Sequence, residues 1–236
     1  MRLTVLRCAW GMSMVLVLAS YAKATLVTSV GTFGPSTTVV DFSQFSSPFS
    51  FGPGPVQVGG LVGLDIQWAS SNSAVQGGAV IGNSVYNIVP NGSWNTGRVG
   101  YVGLNAPSGT MTLTLTSPVS EVGALVNYSA GLGPDVTIAA LAFDGSILES
   151  YDLNTSAPIS TPGGVNVGGF RGIERGSADI YGFQVANSAV VLDDFTIGHA
   201  TPEPSSIVLI GAGLMVIAVA RWRGARRGSR AIAMAD

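Results

Sequence analysis

The residues best suited to chemistry are two adjacent carboxylates, Asp193 and Asp194, in the run Val191 to Ile197. Neighbouring side chains of a strand point to opposite faces, so one strand alone cannot direct both carboxylates at one ion. Ca²⁺ takes about six to eight oxygen ligands, which Asp41, Asp179 or backbone carbonyls could complete. The alternative is a structural aspartate that caps a turn or pairs with an arginine. Calcium is therefore a hypothesis for this cluster, and no other cofactor is expected.

Aromatic side chains offer a second kind of chemistry, because the C–H faces of sugar rings stack on π surfaces. Trp94 lies in the polar run Asn91 to Gly97, whose composition predicts an exposed loop with hydrogen-bonding neighbours. We therefore take Trp94 as the candidate for stacking on a sugar. The alternative is that it packs in the protein interior, as most tryptophans do.

Catalytic side chains are scarce between Thr25 and Thr201. This range has no cysteine, no lysine and one histidine, His199. It therefore lacks the residues needed for a Cys–His or Ser–Lys pair, a His-dependent serine triad or a His-rich zinc site. Its only glutamates are Glu121, Glu149 and Glu174. Two carboxylates can hydrolyse a glycoside, but the spacing singles out no pair. We predict a protein that is not an enzyme, with no catalytic residue, and keep a glycosidase as the least favoured alternative.

The same range is acidic. It holds three arginines against eleven aspartates and glutamates, a net charge of minus eight, whereas the whole chain carries minus two. Such a domain should repel nucleic acids and anionic polymers. Cations and neutral glycans are the more plausible partners, and no nucleic-acid partner is expected.

The elements that must position these residues are strands. Thr110 to Thr116 alternates threonine with apolar residues, which is the period of a half-buried strand, and Asp144-Gly145 predicts a hairpin turn. Short strands separated by Gly- and Pro-rich loops, such as Ser47 to Gly54, predict an all-β fold, an antiparallel β-sandwich. The other predicted strands are Val27–Phe33, Thr37–Phe42, Pro55–Val62, Asp65–Ala69, Val85–Val89, Arg98–Leu104, Glu121–Asn127, Asp135–Phe143, Ser146–Leu153, Val165–Ile173, Ile180–Ala186 and Ala189–Ile197.

The N-terminus has the three parts of a signal peptide. Arg2 and Arg7 form a positive region, Met12 to Ala19 is the core of an apolar region, and Ala22 and Ala24 complete an Ala-x-Ala cleavage site. We predict export through the secretion translocon and cleavage by signal peptidase after Ala24. An uncleaved membrane anchor is the alternative.

The C-terminus combines an acidic Pro-rich motif, an apolar run and a basic cluster. The apolar run Ile207 to Ala220 has no polar stripe, and it is short against the roughly 20 residues that cross a bilayer. Flanking residues and local thinning can compensate, which predicts a transmembrane helix over 207–222 in the inner membrane. Basic residues after the helix place the C-terminus in the cytoplasm. The motif is Pro202-Glu203-Pro204, and the membrane stop is Arg221, Arg223, Arg226 and Arg227.

This ordered three-part pattern resembles the PEP-CTERM sorting signal of exopolysaccharide-producing Gram-negative bacteria. The resemblance implies that an exosortase, a membrane transpeptidase, recognises the chain and cuts near Pro202, Glu203 and Pro204. It also implies a destination at the cell surface or in the extracellular matrix. The tail after the arginines, 231–236, is longer than the usual ending of such signals.

A second resemblance concerns the order of motifs in the exported region. Val122-Gly123-Ala124, Gly169 to Ile173 and the Leu-Asp-Asp-Phe run at 192–195 follow an Asp41-Phe42 pair. This order is similar to the jelly-roll ectodomains common among PEP-CTERM proteins, whose sandwiches are related to lectin-like and carbohydrate-binding modules. The resemblance implies a jelly-roll-like sandwich.

The sequence thus predicts five segments: a signal peptide 1–24, a β-sandwich ectodomain 25–198, a linker 199–206, a transmembrane helix 207–222 and a basic cytoplasmic tail 223–236. The expected function is that of an exported, non-enzymatic surface or matrix protein, sorted by an exosortase and associated with exopolysaccharide. A lectin-like module that binds carbohydrate or calcium is the main alternative.

Overall fold

The computed structural model describes residues 24–45, 50–72, 78–81, 85–94 and 100–199, together with 211, 213–215 and 217. Ala22, the motif Pro202 to Pro204 and the arginine cluster that begins at Arg221 lie outside the described residues, so the predictions for them stay predictions. Within the described part of the chain, no helix has both the length and the apolar character needed to cross a membrane.

The described residues are organised mainly as β-strands. The strands are β1 Thr25–Val27, β2 Thr37–Val40, β3 Ser50–Phe51, β4 Val56–Gln57, β5 Ile66–Ser70, β6 Gly78–Ile81, β7 Tyr86–Asn87, β8 Ser93–Trp94, β9 Tyr101–Asn105, β10 Thr110–Val119, β11 Glu121–Tyr128, β12 Thr137–Leu141, β13 Ile147–Asp152, β14 Gly169–Glu174, β15 Ile180–Ala186 and β16 Ala189–Gly198. One short helix, α1, spans Leu153–Ser156, and its N-cap Asp152 accepts a hydrogen bond from the Asn154 amide.

Two antiparallel sheets pack face to face, which confirms the predicted all-β sandwich. Sheet A has the order β1-β14-β11-β16-β9-β6-β3, with β2 also paired to β16, and sheet B has the order β13-β12-β15-β10-β5-β4. The main core lies between the sheets and draws apolar side chains from both. Phe183 of sheet B and Phe195 of sheet A stack within it, with ring centroids 5.9 Å apart.

Two predicted strands are replaced in part by 3-10 turns. The strand predicted over Val27–Phe33 is instead β1 followed by a 3-10 turn at Val30–Thr32, because the chain leaves the edge of sheet A to cross its outer face. The strand predicted over Pro55–Val62 becomes β4 and a 3-10 turn at Gly60–Val62. Gly63 ends that turn with a φ of 71°, a left-handed conformation that glycine adopts without steric cost.

Three short strands were not predicted: β3, β6 and β8, the last within the loop predicted over Asn91 to Gly97. The loop predicted over Ser47–Gly54 contains β3, and β6 pairs with both β3 and β9. Strands of two and four residues are too short for a period of two to be recognised in a sequence.

The outer face of sheet A, away from the main core, is covered by its own chain. Residues 28–36, here called the crossover segment, connect β1 at one edge to β2 beyond β11. Phe33 of this segment packs edge-to-face on Phe170, with centroids 5.3 Å apart. The Gly34 amide donates to both carboxylate oxygens of Glu121, at 3.0 and 3.1 Å. The β7–β8 hairpin contributes to a second apolar cluster, to which Val191 of β16 also belongs.

The outer face of sheet B has no such cover among the described residues. Along β10 the side chains alternate: Met111, Leu113 and Leu115 are buried, whereas Thr112 and Thr114 are partly or fully exposed. This alternation is the one predicted for Thr110 to Thr116. Sheet B is therefore buried on one face and open on the other.

Candidate functional site

Asp193 and Asp194 lie in a β-bulge of β16. Leu125 pairs with Asp193 and Gly123 pairs with Thr196, so two residues of β16 oppose one residue of β11. Asp194 has a φ of 49°, and its amide donates to Asp193 Oδ1 at 2.7 Å. The bulge breaks the simple alternation expected for this strand, and Asp193 is only 2% exposed.

Asp41, the third predicted ligand, is exposed and accepts a hydrogen bond from the Ser43 amide at 3.0 Å. The pairing of Val40 with Phe195 brings the end of β2 to the bulge. Asp179, considered as a further ligand, instead makes a two-point ion pair with Arg175, at 2.7 and 2.9 Å. In the part of the chain that the structure describes, no group of three or more His, Cys, Asp or Glu side chains is placed to hold a metal ion. Calcium at Asp193, Asp194 and Asp41 remains a sequence-based hypothesis.

The prediction that Trp94 is exposed for stacking is wrong. Trp94 is 0% exposed and packs against Tyr101, with ring centroids 5.9 Å apart, in the cluster that covers sheet A. Tyr86 lies edge-on to Tyr101 at 6.0 Å, and burial raises the pKa of both tyrosines. The polar residues around Trp94 are there because the hairpin needs turn-forming and hydrogen-bonding residues.

Sequence reasoning missed a buried polar network beside this hairpin. Asn91 is 3% exposed; its Nδ2 donates to the carbonyls of Tyr128 and Ile159, at 3.0 and 2.9 Å, and its Oδ1 accepts from the Thr161 amide at 3.2 Å. Asn127, on the outer face of β11, donates to Thr161 Oγ1 at 2.9 Å. These bonds join the hairpin and the loop around Thr161 to sheet A. An asparagine between Pro90 and Gly92 looks like an ordinary turn residue, so its sequence context carries no signal of burial.

The three glutamates do not form an accessible catalytic pair. Glu121 and Glu174 are direct cross-strand neighbours, but Glu121 is 1% exposed and both its oxygens accept from Gly34. Partial burial raises the pKa of Glu174 above its ordinary value, and the Glu121 carboxylate adds to the rise. Glu149 lies on β13 of the other sheet. The carboxylate of Glu121 is thus buried under the crossover segment and bonded to its backbone.

An exposed aromatic pair lies at one end of sheet B. Phe143, in the β12–β13 turn, is 82% exposed, and its ring meets Tyr181 edge-to-face at 5.2 Å and 75°. The pair forms one side of a hollow of about 110 Å³ whose other walls include Thr114, Leu141 and Gly182. Sequence reasoning passed over Phe143 because it lies beside a turn, where an exposed aromatic gives no periodic signal.

Two rows of side chains cross the outer face of sheet B. The first row is Gln57, Gln67, Thr114, Gly182, Leu141 and Ile147. The second row is Ala69, Thr112, Gln184, Ala139 and Ser150. Neither row contains an ionisable side chain. At the β4 end, Asp65 accepts from the amides of Gln57 and Gln67, at 3.0 and 2.7 Å. These two rows therefore present hydroxyl, amide and apolar groups without charge. Carboxylates lie at their margins: Asp65 beside Gln57 and Gln67, and Asp152 at the end of a third row through Thr110, Ala186 and Thr137.

These features define an antiparallel β-sandwich with one covered face, one open face that carries two uncharged rows of side chains, and a C-terminal extension. Within that extension, residues 200–227 match the family model of the PEP-CTERM protein-sorting motif. The matched range contains Pro202, Glu203, Pro204 and the arginines of the predicted membrane stop. The match supports exosortase-dependent sorting of an exported protein, and it implies an exosortase as processing partner and a surface destination. No curated protein and no solved structure matches the chain.

Proposed function

We propose that this chain is an exported, non-enzymatic surface or extracellular-matrix protein that an exosortase releases from a membrane-held precursor and that associates with exopolysaccharide. The observation that carries the proposal is the match of residues 200–227 to a sorting motif, joined to a β-sandwich. In this proposal residues 1–24 are a signal peptide, and residues 207–222 hold the precursor in the inner membrane until it is cut near Pro202 to Pro204.

Two physical observations support a display role over an enzymatic one. The range Thr25 to Thr201 lacks cysteine and lysine, and its single histidine, His199, precedes the sorting motif. The cross-strand pair Glu121 and Glu174 is closed by the crossover segment. Neither arrangement favours a hydrolase, so a carboxylate-dependent glycosidase is the weakest candidate.

A lectin-like, jelly-roll module is the second candidate, and one specific observation favours it. Phe143 exposes most of its ring beside a shallow hollow, which suits contact with a sugar ring better than it suits solvent. Saturable binding of a defined glycan by the purified protein would distinguish this candidate from a passive matrix component.

Intact-mass analysis of the chain from cells with and without their exosortase tests the sorting proposal. We expect a product that starts at Thr25 and lacks the mass beyond about Pro204, found only when the enzyme is present. A product that ends at Asp236 in both strains would contradict exosortase processing. A product that still contains residues 1–24 would contradict the predicted signal-peptide cleavage and leave an N-terminal anchor.

The association with polysaccharide has its own test. The processed chain should co-purify with the exopolysaccharide fraction of the producing cells and leave it when that polymer is digested. Recovery of the chain in equal amount from a strain that makes no exopolysaccharide would contradict the association without affecting the sorting result.

A further inference from the structure

We propose that the open outer face of sheet B is a binding surface for an uncharged polysaccharide chain, with Phe143 and Tyr181 as its stacking platform. This inference rests on the proposed association with exopolysaccharide, and it names the surface and the class of polymer. Of the aromatic candidates, Trp94 is excluded by its burial, whereas Phe143 is exposed.

The two sheets differ in what covers their outer faces. Side chains on the outer face of sheet A are closed off by the chain itself: Glu121 and Asn127 are each 1% exposed and Val191 is 0% exposed. On sheet B the outward residues Thr114, Ile147 and Ser150 are exposed and Thr112 and Gln184 are partly exposed, whereas Ala139 and Leu141 are buried among their neighbours. Sheet B is thus the face on which a long partner can lie across several strands.

The polar groups on the outer face of sheet B match those of a sugar. A sugar hydroxyl both donates and accepts, and Thr112, Thr114, Gln184 and Ser150 also provide both kinds of group. Gln184 Nε2 already donates to Thr112 Oγ1 at 3.3 Å, which holds one amide in a fixed direction. With neighbouring strands about 4.8 Å apart, the first row, on six strands, extends for about 24 Å and the second row, on five strands, for about 19 Å. Either length suits several consecutive sugar units of a polymer.

The aromatic end of sheet B combines an exposed ring with a shallow hollow. Phe143 is held edge-to-face by Tyr181, so its exposed ring is oriented before any ligand arrives. The adjoining hollow, at about 110 Å³, is smaller than the roughly 300–1,000 Å³ of pockets that enclose small molecules. Gly182 lies in the floor between Thr114 and Leu141, and its missing side chain keeps the hollow open. A shallow site of this kind favours one unit of a long chain over an enclosed free sugar.

The negative charge of the domain favours an uncharged polymer over an acidic one. The range Thr25 to Thr201 carries a net charge of minus eight, and the two rows of sheet B contain no lysine or arginine that could pair with an acidic sugar. Acidic polysaccharides are therefore repelled by the domain and receive no compensating contact on this face.

Affinity gel electrophoresis of the processed chain tests the proposal, with dextran, amylose and the exopolysaccharide of the producing cells as neutral or native probes and alginate as the anionic probe. We expect retardation by at least one neutral polymer and none by alginate. Phe143→Ala should weaken the retarding affinity about tenfold, equivalent to about 1.4 kcal/mol. Gln184→Glu, which adds a carboxylate to the second row, should weaken it as well.

Val89→Ala is the matched control, because Val89 is 71% exposed and lies in the hairpin that covers the other sheet. It should leave retardation unchanged. Urea unfolding of each variant checks that the fold is intact.

The outcomes distinguish a failure of the sheet B surface assignment from a failure of the proposed association with exopolysaccharide. If the native polymer retards the wild-type chain and the Phe143→Ala variant equally, the surface assignment is overturned and the association stands. If neither the native nor a neutral polymer retards the wild-type chain, the association fails and the surface fails with it. Retardation by alginate would overturn the assignment to uncharged polymers.

Discussion

The two outer faces of this sandwich differ in how far other parts of the chain cover them. On sheet A, the crossover segment and the β7–β8 hairpin cover the strands, and outward side chains such as Glu121 and Val191 become part of the interior. On sheet B, the outward residues of β10 stay exposed. In the same antiparallel architecture, the outer face of sheet A is thus packed and adds to stability, whereas the outer face of sheet B is accessible to a partner.

This difference explains why two aromatic residues in similar polar surroundings differ in exposure: Trp94 is buried and Phe143 is exposed. Trp94 and Phe143 both lie beside turns, but Trp94 belongs to a hairpin that packs on sheet A and Phe143 to a turn at the open end of sheet B. Exposure is decided by what covers each sheet, and local sequence composition does not reveal that. Substitutions on the two faces should therefore separate stability from binding.

The largest effect is expected for Trp94→Ala. Removing this ring from the cluster on sheet A should lower the free energy of unfolding by about 3–5 kcal/mol, the usual range for a buried aromatic. Phe143→Ala, on the open face, should change it by less than about 0.5 kcal/mol. Urea unfolding of the processed chain, followed by tryptophan and tyrosine fluorescence and by circular dichroism, measures both.

The variants Trp94→Ala and Phe143→Ala serve as controls for each other. A variant of Phe143 that loses several kcal/mol, or a variant of Trp94 that unfolds like the wild type, would show that the two faces are not covered as described. Either result would also remove the basis for placing a partner on sheet B.

A smaller effect is expected for Asn127→Ala. The Asn127 amide donates to Thr161 Oγ1 and to the carbonyls of Asn91 and Val167, and truncation would leave these buried acceptors short of a donor. The free energy of unfolding should fall by about 1–3 kcal/mol. Denaturant unfolding measures the loss, and amide hydrogen exchange around Thr161 should increase first.

Gln184→Ala is the control for this prediction, since Gln184 is a carboxamide on the open face whose amide, among the described residues, donates to Thr112 Oγ1 at 3.3 Å. It should cost less than about 0.5 kcal/mol. Equal losses for the two variants would contradict the view that only sheet A uses its outward polar groups for stability.

The sequence already contained part of this comparison. The strict alternation from Thr110 to Thr116 predicts a strand with one open face, and the structure confirms it. The run Ala189–Ile197, by contrast, has apolar residues at successive positions, and β16 is buried on both faces for most of its length. A near-continuous apolar strand indicates cover on both sides, even in an antiparallel sheet.

The remaining features could not be read from local patterns because they depend on distant segments. The burial of Trp94 requires Tyr101 and Val191, and the burial of Asn91 requires Thr161. The bulge at Asp194 follows from how β11 and β16 are paired, which no window of one strand contains. For the sorting motif the opposite holds: all of its parts are adjacent in sequence, so the match at 200–227 confirms that prediction.

The smallest effect is expected for Glu174→Gln and depends on pH. The pKa of Glu174 is raised in the folded chain by partial burial and by Glu121. A carboxyl with a raised folded pKa contributes stability that is fully present below the ordinary glutamate pKa, and this stability is lost as the pH rises through the raised value. The glutamine variant should therefore be more stable than the wild type at neutral pH, by less than about 1 kcal/mol because Glu174 is only partly buried. Below about pH 4 the two chains should unfold alike.

Whether the chain is cleaved after Ala24 should change the effect of Glu174→Gln. Thr25 pairs directly with Glu174 in the sheet, and cleavage after Ala24 would give Thr25 a free ammonium group at that position. The positive charge should favour the ionised carboxylate and offset part of the cost caused by Glu121. The gain from Glu174→Gln should therefore be larger in a chain that keeps residues before Thr25 than in the cleaved chain, as thermal unfolding at pH 7 can measure. A gain that is the same in both chains would place the new ammonium away from Glu174, and a gain that persists below pH 4 would show that the charge of Glu174 is not its cause.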